Sequence, residues 1–104
     1  MFDMAKLMKQ AQNMQKDIEG IQQELAQTEI SGSAGGGAVK VVCDGRGELK
    51  SLSISDEAMG DRETLEEMVL TALRETLAKA AEMSQQKMAA VTQGLNLPGL
   101  PFGK

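Results

Sequence analysis

Apolar residues recur at Met4, Leu7, Ala11, Met14, Ile18, Ile21 and Leu25, in steps that alternate three and four. That spacing is the a/d seam of a heptad repeat and predicts a first helix from Met4 to about Gln27, with Asp3 as its N-cap. The opposite face carries Lys6, Lys9, Asn13, Lys16 and Gln23. So narrow a seam asks for a partner helix. Gly20 falls on the wet side, either as a tolerated surface glycine or as a flexible point between a docked half and a free half.

Past Gln27 the period changes. Thr28 to Ser33 reads as a short strand, and Ala38 to Asp44 as a clearer one, with Val39, Val41 and Cys43 on one face. The glycines at 35–37 separate them. Asp44-Gly45-Arg46-Gly47 is a hairpin turn signal, and Glu48 to Ser55 returns with Leu49, Leu52 and Ile54. The change of parity between Leu49 and Leu52 predicts a bulge or a twist. Asp61 then caps a second helix, with Glu63, Glu66 and Glu67 in its first turns, where the helix dipole favours acids. Its core face is broad: Leu65, Met68, Val69, Ala72, Leu73, Thr76, Leu77 and Ala80. The stripe thins near Lys87, and Gly94 is the expected stop. Either the helix outruns its core there, or that end lines a wet surface with a purpose.

These elements add up to an α+β fold, helix, three-stranded antiparallel meander and helix. It forms one domain over residues 1–94, with a flexible Pro- and Gly-containing tail over 95–104. The core contains no aromatic residue, because the two phenylalanines are Phe2 and Phe102 at the ends of a chain of 104 residues. A small core of Leu, Ile, Val, Ala and Met on long helices buries little area, which predicts an obligate oligomer.

Charge narrows the function. The net charge is −4, which argues against a strong nucleic-acid binder. The distribution differs from the total. Residues 1–16 hold three lysines and one aspartate, residues 17–29 hold four acids and no base, and residues 83–104 hold Lys87 and Lys104 alone. Antiparallel helices would bring Lys6, Lys9 and Lys16 near Lys87 and Lys79, among Gln12, Asn13, Gln86 and other amides. That is a positive, amide-rich tip suited to phosphates, or simply solubilising polarity.

Chemistry for catalysis is missing. There is no histidine, which removes Ser–His and Cys–His systems and most zinc sites. Cys43 in mid-strand reads as a small core hydrophobe. The glycine turns join strands and lack the Gly-Lys-Ser/Thr of a phosphate-binding loop. No enzyme, cofactor, metal or small-molecule substrate is expected. No run is apolar enough for a signal peptide or membrane span, so a cytoplasmic protein is the default.

Several stretches resemble the YbaB/EbfC family: Met-Lys-Gln-Ala-Gln-Asn-Met-Gln at 8–15, Gly-Gly-Ala-Val-Lys-Val at 36–41, the glycine turn at 45–47, and Lys-Met-Ala-Ala-Val-Thr-Gln-Gly-Leu at 87–95 before a Leu-Pro tail. The resemblance covers nearly the whole chain in the same order. It implies a nucleoid-associated protein that binds double-stranded DNA, helps organise the bacterial nucleoid and can affect expression. The family form is a tweezer-shaped homodimer with projecting helical arms. Carried onto this chain, the DNA contacts fall near Lys6, Lys9, Gln12, Asn13 and Lys16, and near Lys79, Gln86 and Lys87. Family genes neighbour those of recombinational repair, which makes a repair protein a candidate partner. Glu19, Glu24 and Glu82 would repel phosphates, so affinity should be weak to moderate, with little sequence preference and strong salt dependence. The rival reading is a dimeric interaction scaffold built on the Met-rich seam and apolar tail. In the first reading the N-terminal half of the first helix packs on the end of the second, held by that seam, and its lysines face DNA.

Overall fold

The structure, a computed structural model, describes residues 3–95. Helix α1 (Met4–Gln27) is followed by strands β1 (Glu29–Ala34), β2 (Val39–Asp44) and β3 (Leu49–Ile54), then helix α2 (Arg62–Leu95). The sheet is an antiparallel meander in the order β1-β2-β3. Its radius of gyration of 19.7 Å far exceeds the roughly 13 Å of a compact domain this long. The two helices alone, at 24 and 34 residues, are about 36 and 51 Å long.

Both helix starts have the expected caps. The Lys6 N–H donates to Asp3 Oδ1 at 3.2 Å. The Thr64 N–H and hydroxyl donate to the two Asp61 oxygens at 3.3 and 2.8 Å. Thr28, expected at the start of the first strand, instead closes α1: its hydroxyl donates to the Glu24 carbonyl and its N–H to that of Leu25. At the other end α2 runs through Gly94 to Leu95, past the expected stop, since a helical glycine costs about 1 kcal/mol without forbidding the turn. The tail beyond Leu95 lies outside the described residues.

Registry assigns every sheet residue to a face. Ile30, Gly32 and Ala34 pair with Cys43, Val41 and Val39, which pair in turn with Leu49, Leu52 and Ile54. The bulge falls at Lys50, between Ser51 opposite Val42 and Leu49 opposite Cys43. It restores the parity that puts both leucines on the apolar face. Helix α2 lies across this face on a line of small residues, Ala72, Thr76 and Ala80, all buried. Gly32 is what lets it lie so close. A Cβ there would meet the Thr76 hydroxyl, Glu75 Oε2 at 2.8 Å and the Thr76 backbone nitrogen at 3.2 Å. The Cys43 thiol is sealed beneath, 4.0 Å from the Thr76 carbonyl, and burial pushes its pKa up.

Helix α2 covers β1 and β2 and leaves β3 bare. Leu49 and Leu52 remain about half exposed, as does Leu70 on the flank of α2, and Leu77 beside it is 38% exposed. The two sheet edges are treated differently. On β1 the Ser33 N–H donates to Glu75 Oε2 at 2.9 Å, and Lys79 Nζ donates to the Ser31 carbonyl at 3.0 Å. Two α2 side chains thus occupy the hydrogen-bonding groups that an edge strand would offer to another chain.

Candidate nucleic-acid interface

The α1 seam divides into two stretches. Leu25 is fully buried and Ile18 and Ile21 are half-buried, but every residue from Met4 to Asn13 is exposed. Offset explains the difference. Lys87 forms an ion pair with Glu24, and Gly20, Ile21, Ala90 and Val91 line one groove. The helices therefore run antiparallel with Lys87 level with Glu24, so Leu95 lies level with about Lys16. The first three turns of α1 extend beyond the described part of α2 as a free arm. This corrects the expectation that the N-terminal half packs on the end of the second helix.

The arm is the basic part of the molecule. Residues 4–16 hold Lys6, Lys9 and Lys16 and no acid. At 100° per residue, Gln12, Lys16, Lys9, Asn13 and Lys6 span an arc of about 120°, opposite the seam. All five are exposed, and among the described residues none of the three lysines forms an ion pair. They are fully hydrated charges on a single helix, free to approach a polyanion from one side.

The second-helix candidates are placed otherwise. Lys79 is committed to the β1 edge and lies 4.0 Å from Glu75. Gln86 lines a cleft with Lys79, Glu29 and Glu82, so its surroundings carry two acids and one base. Lys87 is neutralised by Glu24 and stands about 22 Å along the arm from Lys9. The structure brings Lys6, Lys9, Gln12, Asn13 and Lys16 onto one face and does not bring Lys79, Gln86 and Lys87 to it. Helical periodicity gives the face of each lysine. It does not give the offset between two helices, nor the partners that Lys87 and Lys79 meet across 63 and 48 residues of chain, the Glu24 carboxylate and the Ser31 carbonyl.

The bare apolar surface beside β3 was not anticipated as a site. Leu49 and Leu52 share the sheet face on which α2 lies, and α2 carries a stripe of Leu70, Leu73, Leu77, Ala81 and Met88, whose steps of three, four, four and seven keep one side of the helix. An open groove of about 490 Å³ runs between this stripe and the turn at Gly45–Gly47. Its signal was present in the sequence. Leu70 belonged to no predicted core face, and Leu77 stood at the border of one.

Among the described residues no group of Cys, Asp or Glu side chains is arranged to hold a metal ion. No described helix is long and apolar enough to cross a membrane.

Comparison with known proteins bears on this arrangement. The profile of the YbaB/EbfC DNA-binding family matches residues 1–95. Nucleoid-associated protein TTE0040 of Caldanaerobacter subterraneus is 46% identical, across 95% of this chain and 91% of that one. A nucleoid-associated protein of Pelotomaculum thermopropionicum is also 46% identical, across 94% and 95%. One of Streptomyces avermitilis is 44% identical, across 96% and 93%. The crystal structure of the uncharacterized protein HP0035 from Helicobacter pylori superposes with a TM-score of 0.78 at 26% identity, covering 89% of this chain and 98% of that one.

Proposed function

The chain belongs to the YbaB/EbfC DNA-binding family, and from that premise we propose that it is a nucleoid-associated homodimer whose two α1 arms hold double-stranded DNA. The observation that carries this reading is the free arm, with three lysines, no acid and no packing partner on its basic face among the described residues. Lysines on one helix supply point charges for phosphates, while Gln12 and Asn13 supply hydrogen bonds to phosphate or sugar. The charge that carries affinity reads phosphates and not base edges, so binding is sequence-tolerant. The relatives named for the nucleoid support the same location, in the bacterial cytoplasm. Binding of this kind arranges DNA without changing it chemically.

The homodimer rests on area. The protomer exposes 7852 Å², against about 5,700 Å² for a compact monomer of 11.1 kDa. Leu49, Leu52, Leu70 and Leu77 are four of the exposed large apolar residues, and among the described residues no side chain bonds to the β3 edge as Glu75 and Lys79 bond to β1. Two such faces related by a two-fold axis cover each other and leave both arms projecting.

Salt titration of binding to a short duplex tests the proposal. Six arm lysines per dimer predict log K falling against log salt with a slope of about −5. Lys9→Gln removes two of the six, which flattens the slope by about 2 and weakens binding about 60-fold at 0.1 M salt. Lys87→Gln, already neutralised by Glu24, leaves the slope unchanged. A flat salt response, or equal losses for both variants, would sink the arm as the DNA site.

A further inference from the structure

Among the described residues the seam of the free arm is exposed from Met4 to Ala11, and the proposed DNA contact does not use it. Met4 is 62% exposed, Met8 59% and Leu7 41%. With Ala11 and Met14 they form one stripe, whose centre lies about 140° to 160° around the helix from Lys16 and Lys9. A duplex held by those lysines offers this stripe nothing, and a contiguous apolar stripe in water marks a contact surface.

We propose that the seam from Met4 to Met14 pairs with the same seam on the arm of a second dimer, as a short antiparallel two-helix coil with the lysines turned outward. This interface is distinct from the face at β3. It rests on the proposed homodimer only for the identity of the bodies it links.

Three observations select a second copy as the occupant. The steps from Met4 through Leu7 and Ala11 to Met14 are those of a two-helix seam, a narrower pattern than a helix laid on a broad core. Within Met4–Met14 the flanking positions are Met8 and Gln10, uncharged, and the next ones outward are Asp3, Gln15 and Asp17; an antiparallel overlap sets Asp3 opposite Gln15, so no like charges meet across the seam, while all three lysines lie farther out. An antiparallel overlap sets Met4 opposite Met14 and Leu7 opposite Ala11, large against small. The eleven overlapping residues bury less than the roughly 1,200 Å² of a stable interface, so pairing is weak and concentration-dependent. Two arms per dimer, brought together along one DNA, multiply it. The consequence is a protein that holds DNA with the outer face of its arms and joins neighbouring dimers with the inner face.

Sedimentation of the full chain without DNA, from micromolar to near-millimolar concentration, tests this separately from any DNA contact. The expected result is a concentration-dependent species larger than the basal one. Leu7→Gln, an exposed change that leaves the fold intact by circular dichroism, weakens that step about tenfold or more. Lys9→Gln does not. Leu100→Ser with Phe102→Ser asks whether the chain's own tail covers the seam. The proposal predicts no effect, and association that appears only in this variant would overturn it. So would a full chain that keeps its basal mass throughout, or a Leu7→Gln variant that associates like the parent.

Discussion

Leu52→Asp links the apolar face of the body to the function of the arms. Leu52 lies on β3 opposite Val41, on the sheet face that α2 leaves bare, and is 52% exposed in the protomer. In a lone protomer the new carboxylate stays hydrated, and the fold loses about 1 kcal/mol through strand preference. In the proposed dimer it is buried without a partner charge, at about 3–5 kcal/mol. Two-fold symmetry places two such carboxylates in each dimer. The combined cost of at least 6 kcal/mol weakens dimerisation by about four orders of magnitude. Sedimentation should therefore show a folded species with the mass of one 11.1 kDa chain. A monomer presents three arm lysines in place of six, so its salt slope on duplex DNA should halve, to about −3. The reasoning is refuted if the variant keeps the parent's mass. It is equally refuted if the variant becomes monomeric yet keeps the full slope, because the arms would then not act together.

Two further perturbations test the body that carries the arms. Gly45 packs against the end of α1: its N–H donates to the Leu25 carbonyl at 2.8 Å, and a Cβ there would meet Leu25 Cδ2 at 2.8 Å and that carbonyl oxygen at 2.9 Å. Backbone cannot swing aside, so Gly45→Ala should cost about 1–3 kcal/mol, read as a fall of roughly 5–20 °C in the melting midpoint. Asp44 anchors the same turn, accepting from the N–H groups of Arg46 and Glu48 at 2.8 and 3.0 Å. The Glu48 N–H most strongly, then that of Arg46 and the charges of Lys50 and Arg46, holds its carboxyl below the usual range against the opposing effect of burial. Its contribution is therefore fully present above about pH 4, the unfolded value, and is lost as pH falls through the lower folded value. Melts of Asp44→Asn should show a deficit at neutral pH that shrinks towards zero in strong acid. A deficit constant with pH would exclude the charge as its source.

The parts of the fold legible in the sequence are those set by local rules. Asp3 and Asp61 announce the helix starts because an aspartate before an apolar period satisfies orphan N–H groups. The alternation of Val39, Val41 and Cys43 fixes the buried face of β2, and the parity change from Leu49 to Leu52 locates the bulge. What the sequence hid depends on long-range offset. The seam of α1 is continuous from Met4 to Leu25, yet only Leu25 is fully buried and Met14, Ile18 and Ile21 are half-buried, since α2 reaches no further than about Lys16 within the described residues. Lys79 and Lys87 read as free charges until the fold brings Ser31 and Glu24 to them. Leu49 and Leu52 read as ordinary strand leucines, and only the position of α2 over β1 and β2 reveals that the described residues leave both about half exposed.

Hydrogen exchange locates the DNA contact most directly. Residues 4–13 form a helix with every residue exposed, so their amides open by fraying and exchange fast. Duplex bound along Lys6, Lys9, Gln12, Asn13 and Lys16 holds that helix together. Exchange measured with and without a short duplex should slow across residues 4–16 and stay unchanged across 79–87. Protection confined to the second helix or the sheet, with the arm still exchanging freely, would contradict the account.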